Sequence, residues 1–160
     1  AKSAATAATP AAKPAAKPAA KPAPSAVAGG APKASLSAFE RAFNAAWRGG
    51  KGEPAELRAA LAMVPTTAAE LVSFVGEGLT EEVLSAVLLG TQRAEEPSTL
   101  AASRLCHLTA ARRFEMCSMF VGAKEKAAAQ AVLAAAARAE PETAAQAVLA
   151  AAAKKYGVQL

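Results

Sequence analysis

Residues 79–88, LTEEVLSAVL, carry both the start signal and the apolar face of a helix. Thr80 is suited to the N-cap, because its hydroxyl oxygen can accept a hydrogen bond from a backbone N–H that the first helical turn leaves unpaired. The next residues come close to a capping box, although its last position holds Val83 rather than Glu or Gln. Apolar side chains then recur at the spacing of one helical face, at Val83, Leu84, Val87 and Leu88. The stretch therefore predicts an amphipathic helix that packs on a core.

Similar apolar faces, separated by glycine, proline and capping residues, fill the chain from residue 36 to residue 157. They predict about seven to eight short helices. We place their starts at Ser35 or Ser37, before Leu57, at Thr66 or Thr67, at Thr80, at Pro97 or Ser98, at Thr109, near residue 123 and near residue 142. The helix that begins near residue 123 is expected to end near residue 139, and the last helix is expected to end at Tyr156, before Gly157. Gly90 is expected to interrupt the helix that begins at Thr80. Because the connections are short and Ala is abundant while Ile is absent, the predicted fold class is all-α, a compact bundle of antiparallel helices.

Residues 1–35 differ from the rest in composition. AAKP occurs there three times, at 11–14, 15–18 and 19–22, and a proline at every fourth position prevents a continuous helix. The segment is predicted to be a disordered Ala/Lys/Pro-rich linker before a helical adaptor domain at 36–157. Five of the 18 basic residues lie in this linker without any acid, so 13 basic and 13 acidic residues remain after it. The pI near 9.5 is therefore due to the linker.

Side chains that could support catalysis or hold a metal ion are few. The chain has one His and no Asp, and the adjacent Cys106 and His107 point about 100° apart around a helix. With Cys117 as the only other candidate, neither a complete metal site nor a Cys–His nucleophilic pair can be assembled. No glycine-rich phosphate loop is present either. The sequence predicts a protein that is not an enzyme and uses no metal or cofactor.

The two cysteines also carry information about the compartment. They are too few for a disulfide framework, so we predict buried or partly buried thiols in a reducing compartment. No apolar run approaches the roughly 20 residues of a membrane span, and no secretory signal peptide is visible. Because the chain does not begin with Met, we expect it to be a piece of a longer protein.

Residues 108–120, LTAARRFEMCSMF, interrupt the alanine-rich background. On a helix from Thr109 to about Val121, an apolar face is expected to be buried, with Ala110, Phe114, Cys117, Phe120 and Val121. The other side would carry Arg112, Glu115, Met116 and Met119, with Arg113 as a further neighbour of Met116. Met and Arg are enriched at protein interfaces, so one interpretation is a partner-binding surface. Helical periodicity alone favours the other interpretation, in which both methionines are core and the arginines only keep the surface soluble.

Residues 111–132, ARRFEMCSMFVGAKEKAAAQAV, resemble the closing region of the C-terminal domain of RNA polymerase II-associated protein three. The residues that carry this resemblance are Arg113, Phe114, Glu115, Met116, Met119, Phe120, Glu125 and Lys126. Shorter motifs resemble the same family in the same order, namely SAFERAF at 37–43, MVP at 63–65, LTEEVLSAVL at 79–88 and KKYG at 154–157. The chain departs from the family in a glycine-rich insertion near 49–52 and in the alanines after residue 127.

The resemblance implies a helical-bundle scaffold domain without enzymatic activity. Such a domain docks a RuvB-like AAA+ ATPase and links it to a heat-shock co-chaperone complex that the rest of the host protein recruits. The expected role is the assembly of large protein complexes, including axonemal dynein arms in ciliary relatives. We expect Arg113 and Met116 to contact the ATPase, with Arg112 and Met119 beside them. The expected location is cytoplasmic, with shuttling to the nucleus.

The alternative function is a nucleic-acid-binding protein with a linker-histone-like basic tail. The lysines of residues 1–35 favour it, and it requires an affinity that falls steeply with salt and disappears when these residues are removed. The balanced charge of residues 36–160 disfavours it, because a nucleic-acid-binding fold usually carries a basic face of its own.

Overall fold

A computed structural model describes residues 34–49 and 51–160, which form eight α-helices and contain no strand. The helices are α1 (Leu36–Arg48), α2 (Pro54–Leu61), α3 (Ala68–Val75), α4 (Glu81–Arg93), α5 (Ser98–Leu108), α6 (Phe114–Ser118), α7 (Ala123–Ala139) and α8 (Thr143–Tyr156). The predicted all-α fold class is confirmed. The linker predicted over residues 1–35 lies, except for its last two residues, outside the described part of the chain, so the predicted boundary stays a prediction.

Three of the helix ends show the local chemistry that the sequence predicts. The Ser35 side-chain oxygen accepts a hydrogen bond from the Ala38 N–H at 3.3 Å, and Thr80 Oγ1 accepts one from the Val83 N–H, also at 3.3 Å. At the other end of the domain, Gly157 takes a left-handed conformation with φ 69° and ends α8. A residue without a Cβ adopts this conformation without steric cost.

The core is built around α4 and α7, which pack on each other. Helix α4 also contacts α2 and α6, whereas α7 contacts α5 and α8. Helix α1 lies on α2, and α3 lies on α5. Fully buried leucines from five of these helices fill the centre, among them Leu57, Leu71, Leu84, Leu105 and Leu133. Within the described residues, no helix is long and apolar enough to cross a membrane.

Gly90 lies inside α4 and does not break it, so this prediction was wrong. A Cβ added at this position would come within 2.8 Å of Cε2 of Phe43 in α1. The missing side chain therefore lets the Phe43 ring approach α4 closely. Packing of a buried aromatic ring outweighs the cost of glycine in a helix, which is about 1 kcal/mol relative to alanine.

Helix α6 is much shorter than the predicted helix from Thr109 to about Val121. Thr109 caps the end of α5, and its hydroxyl donates to the Cys106 carbonyl at 2.7 Å. The N–H of Ala111 and that of Phe114 each bond to a carbonyl three residues earlier, at 3.0 Å. These tight turns separate α5 from α6, and one helical wheel cannot describe both.

Arg104, which forms a buried ion pair, and Ser103 fix α5 against the segment that follows α2. Arg104 is 3% exposed, and its guanidinium pairs with the carboxylate of Glu96. The Nε of Arg104 also donates to the Val64 carbonyl at 3.4 Å, and the Ser103 hydroxyl donates to the Thr66 carbonyl at 3.4 Å. Helix α5 thus donates hydrogen bonds to two carbonyls of the segment between α2 and α3.

A candidate protein-interaction surface

Two buried side chains attach α6 to the bundle. The Phe114 ring packs edge-to-face on Tyr156 of α8, with ring centroids 5.0 Å apart. The Cys117 thiol donates to the Leu79 carbonyl just before α4, at a sulfur–oxygen distance of 3.4 Å. Tyr156 is itself fixed, because its hydroxyl donates to the Leu105 carbonyl of α5 at 2.9 Å, and burial raises its pKa well above the ordinary value. The buried side of this short helix therefore contacts α4 and α8.

The outward side of α6 and the turn that follows it carry exposed apolar side chains. Met116 is 44% exposed, Met119 75% and Phe120 67%. We call these three residues the methionine patch. They lie within five positions of sequence, and among the described residues only two other large apolar side chains, Val148 and Leu160, are as open. The interpretation that both methionines are core residues is therefore wrong, although this exposure does not by itself test a binding role.

Phe120 was expected on the buried face, and the structure corrects this. Helix α6 ends at Ser118, and the next residues form tight turns in which the Phe120 N–H bonds to the Cys117 carbonyl at 3.1 Å. Val121 returns to the core and is 8% exposed, whereas Phe120 points outward. Ala110, placed on the same face, is also exposed because it precedes α6 in a turn. A continuous helix would have buried both side chains.

The two arginines beside the methionine patch both bind Glu77 in the loop between α3 and α4. Nη1 of Arg112 pairs with Oε1 of Glu77 at 2.5 Å, and both side chains are largely exposed. Nη1 of Arg113 donates to the Glu77 backbone carbonyl at 3.2 Å. Such exposed contacts contribute roughly 0–1 kcal/mol each to stability. Their effect is to hold both guanidinium groups at the loop between α3 and α4.

Of the four predicted contact residues, Arg112, Met116 and Met119 are exposed and Arg113 is partly exposed, and both arginines bind Glu77. Sequence reasoning missed two further members of this surface, Phe120 and Glu77. Gly76 and Gly78 on either side of Glu77 indicated a loop. Nothing in the sequence indicated that this loop binds arginines about 35 residues later.

The two thiols lack the environment of a catalytic nucleophile. Burial raises the pKa of Cys117, and the nearby positive charge of Arg113 opposes this only in part. Burial also raises the pKa of Cys106. An activated nucleophile requires the opposite shift. Both cysteines are free thiols, one buried and one half-buried, as predicted.

His107 does not complete a site with either cysteine. The Nδ1 atom of His107 is buried without a hydrogen-bond partner. His107 and Cys106 line a cavity of about 240 Å³ between α5, α7 and α8. Across residues 34–49 and 51–160, no group of three or more His, Cys, Asp or Glu side chains is placed to hold a metal ion.

Comparison with known protein families gives a match. The sequence pattern of a family described as the potential Monad-binding region of RPAP3 matches residues 34–126, which is more than half of the chain. The match runs from the N-cap of α1 into the first turn of α7 and includes the methionine patch and both arginines. No curated protein and no solved structure matched the chain. By its description the family is one of protein-interaction domains, and this chain belongs to that family, the potential Monad-binding region of RPAP3.

Proposed function

We propose that the helical bundle is a non-enzymatic adaptor domain that binds a partner protein through the methionine patch and the adjacent arginines. The observation that supports this most strongly is the exposure of Met116, Met119 and Phe120, which lie within five positions of sequence in the region that matches the family. Monomeric domains rarely leave several large apolar side chains together in water, and such patches usually mark interaction sites.

The chemistry of these side chains suits a protein interface. Methionine is unbranched and polarisable, so Met116 and Met119 can adapt to the shape of a partner surface. The guanidinium group of Arg112 can exchange the exposed Glu77 carboxylate for a carboxylate of the partner, because an exposed ion pair contributes only about 0–1 kcal/mol. Arg113 is held by a single backbone carbonyl and keeps further N–H donors for a partner.

The partner that we propose from the resemblance is a RuvB-like AAA+ ATPase. The domain would link this ATPase to a heat-shock co-chaperone complex through the rest of the host protein, in the assembly of large complexes such as axonemal dynein arms. The description of the matched family names Monad as a potential partner, so Monad is the second protein to test. A cytoplasmic location with nuclear shuttling belongs to the same proposal.

We expect Met116→Ala or Arg113→Ala to weaken binding of the partner by about 10- to 100-fold, because truncating a central interface residue commonly costs about 1–3 kcal/mol. The measurement is pull-down and titration of the 160-residue chain with a purified RuvB-like ATPase and, separately, with Monad. Far-UV circular dichroism should not change, because Met116 is nearly half exposed.

Two matched variants control this experiment. Met63→Ala removes a methionine at the end of α2, and Arg138→Ala removes an exposed arginine from the last turn of α7. Both should bind like the wild type. If Met116→Ala and Arg113→Ala also bind like the wild type, the interface lies elsewhere. If the wild type binds neither protein, the adaptor function itself is wrong.

A further inference from the structure

A groove of about 560 Å³ lies between α1, α4 and the segment that joins α6 to α7. Its apolar surface includes Trp47 of α1, Leu89 of α4 and the exposed Phe120. Trp47 is held in place because its ring stacks on Phe43 with centroids 5.5 Å apart. The volume is within the usual range for binding pockets, about 300–1,000 Å³. The groove shares Phe120 with the methionine patch but contains neither methionine.

Four carboxylates surround this apolar surface. They come from Glu40 of α1, Glu81 and Glu82 of α4, and Glu125 of α7. Among the described residues that line the groove there is no Lys or Arg, and the nearby guanidinium group of Arg93 lies over the Trp47 ring, 5.5 Å from its centroid. The excess of negative charge is local, since basic and acidic residues balance in the chain after residue 35.

One of these carboxylates, that of Glu125, is held in position, and a second, that of Glu82, is charged at neutral pH. Oε1 of Glu125 accepts a hydrogen bond from the Ser85 hydroxyl at 2.9 Å, which joins α7 to α4. Its other oxygen lies over Gly122, where a Cβ would come within 2.8 Å of it. Hydrogen bonds from its own backbone N–H and from Thr80 hold the pKa of Glu82 below the ordinary value, so it stays charged at neutral pH.

We propose that this groove binds a lysine- or arginine-bearing segment of a partner protein. The segment would insert an apolar side chain against Trp47 and Leu89 and place its cations on the surrounding glutamates. We choose this occupant because its cationic side chains are complementary in charge to the glutamates of the groove. The same carboxylates repel nucleic acid, and no three acidic side chains in the described part of the chain are placed to hold a metal ion. The contact is additional to the one proposed for the methionine patch.

The test uses a synthetic amphipathic peptide of leucine and lysine as the probe. Trp47 is the only tryptophan of the chain and lines the groove, so its fluorescence reports on an occupant directly. We expect a saturable change in Trp47 emission with the full chain. A peptide in which glutamate replaces lysine should cause none. Added salt should weaken the binding, because exposed charge pairs are screened.

The decisive variant carries Glu40→Gln, Glu81→Gln and Glu82→Gln together. It should weaken binding of the leucine–lysine peptide about tenfold, because each exposed charge pair contributes about two- to fivefold. The matched control carries Glu53→Gln at the N-cap of α2, Glu56→Gln on α2 and Glu70→Gln on α3, which changes the net charge equally outside the groove. The control should bind like the wild type, and Met116→Ala should too.

Several outcomes would overturn the proposal. Equal weakening by both triple variants would show attraction to the overall charge and no binding in the groove. If the leucine–glutamate peptide binds equally well, charge complementarity does not determine what the groove binds. Loss of probe binding in Met116→Ala would mean that the groove is no separate site. If the wild type forms a dimer and the groove variant is a monomer, the occupant of the groove is a second copy of this chain.

Discussion

Replacing Phe114 with Ala is expected to lower the free energy of unfolding by about 3–5 kcal/mol. The Phe114 ring is 1% exposed and packs on Tyr156, so its removal leaves a cavity between α6 and α8. Because α6 has only five residues, its own helical hydrogen bonds cannot hold it in place. The loss should therefore also release the methionine patch. Urea unfolding followed by circular dichroism measures the first effect, and partner titration measures the second.

Phe120→Ala is the matched control for this prediction. The same side chain is removed six residues later, but Phe120 is 67% exposed. Its removal should change the free energy of unfolding by no more than about 0.5 kcal/mol. Partner binding should still weaken, because Phe120 belongs to the methionine patch. Equal destabilisation by the two variants would contradict the described path of the chain after α6.

Replacing Arg104 with Ala is expected to lower the free energy of unfolding by about 3–5 kcal/mol. The partner carboxylate of Glu96 is 3% exposed and would be left as an unpaired buried charge. The Val64 carbonyl would also lose a donor. Whole domains have about 5–15 kcal/mol of stability, so this single change should remove a large part of it.

A double variant separates the charge from the packing. Arg104→Met combined with Glu96→Gln keeps most of the side-chain volume and removes both charges. Replacing both members of a buried pair is much less costly than removing one, so the double variant should regain most of the lost stability. If the free energy of unfolding of Arg104→Ala lies within about 1 kcal/mol of the wild-type value, water must reach Glu96, and the pair is not buried in solution.

The sequence was sufficient where local chemistry determines the structure. Ser35 and Thr80 are capping residues at their own helix starts, and their roles depend only on the three residues that follow. Gly157 ends α8 for an equally local reason. The buried positions of α4 follow from helical spacing, and the long helix α7 begins and ends where the sequence predicts it.

The predictions from sequence were wrong or incomplete where features beyond the local sequence pattern determine the structure. Gly90 continues its helix because Phe43 of another helix occupies the space above it. Phe120 is exposed because tight turns end α6, whereas the prediction assumed one continuous helix to about Val121. The Arg104–Glu96 and Arg112–Glu77 pairs depend on the final packing of the helices. In the candidate site, residue types indicated the methionines and arginines, whereas Glu77 became visible only in the structure.

The most direct test of the methionine patch is oxidation of the three methionines by hydrogen peroxide, with and without the bound partner. Mass spectrometry follows sulfoxide formation at Met63, Met116 and Met119 in the same sample, so Met63 serves as an internal control. The account predicts that the RuvB-like ATPase slows oxidation of Met116 and Met119 several-fold and leaves Met63 unchanged. Unchanged oxidation of Met116 and Met119 in a complex that demonstrably forms would contradict it.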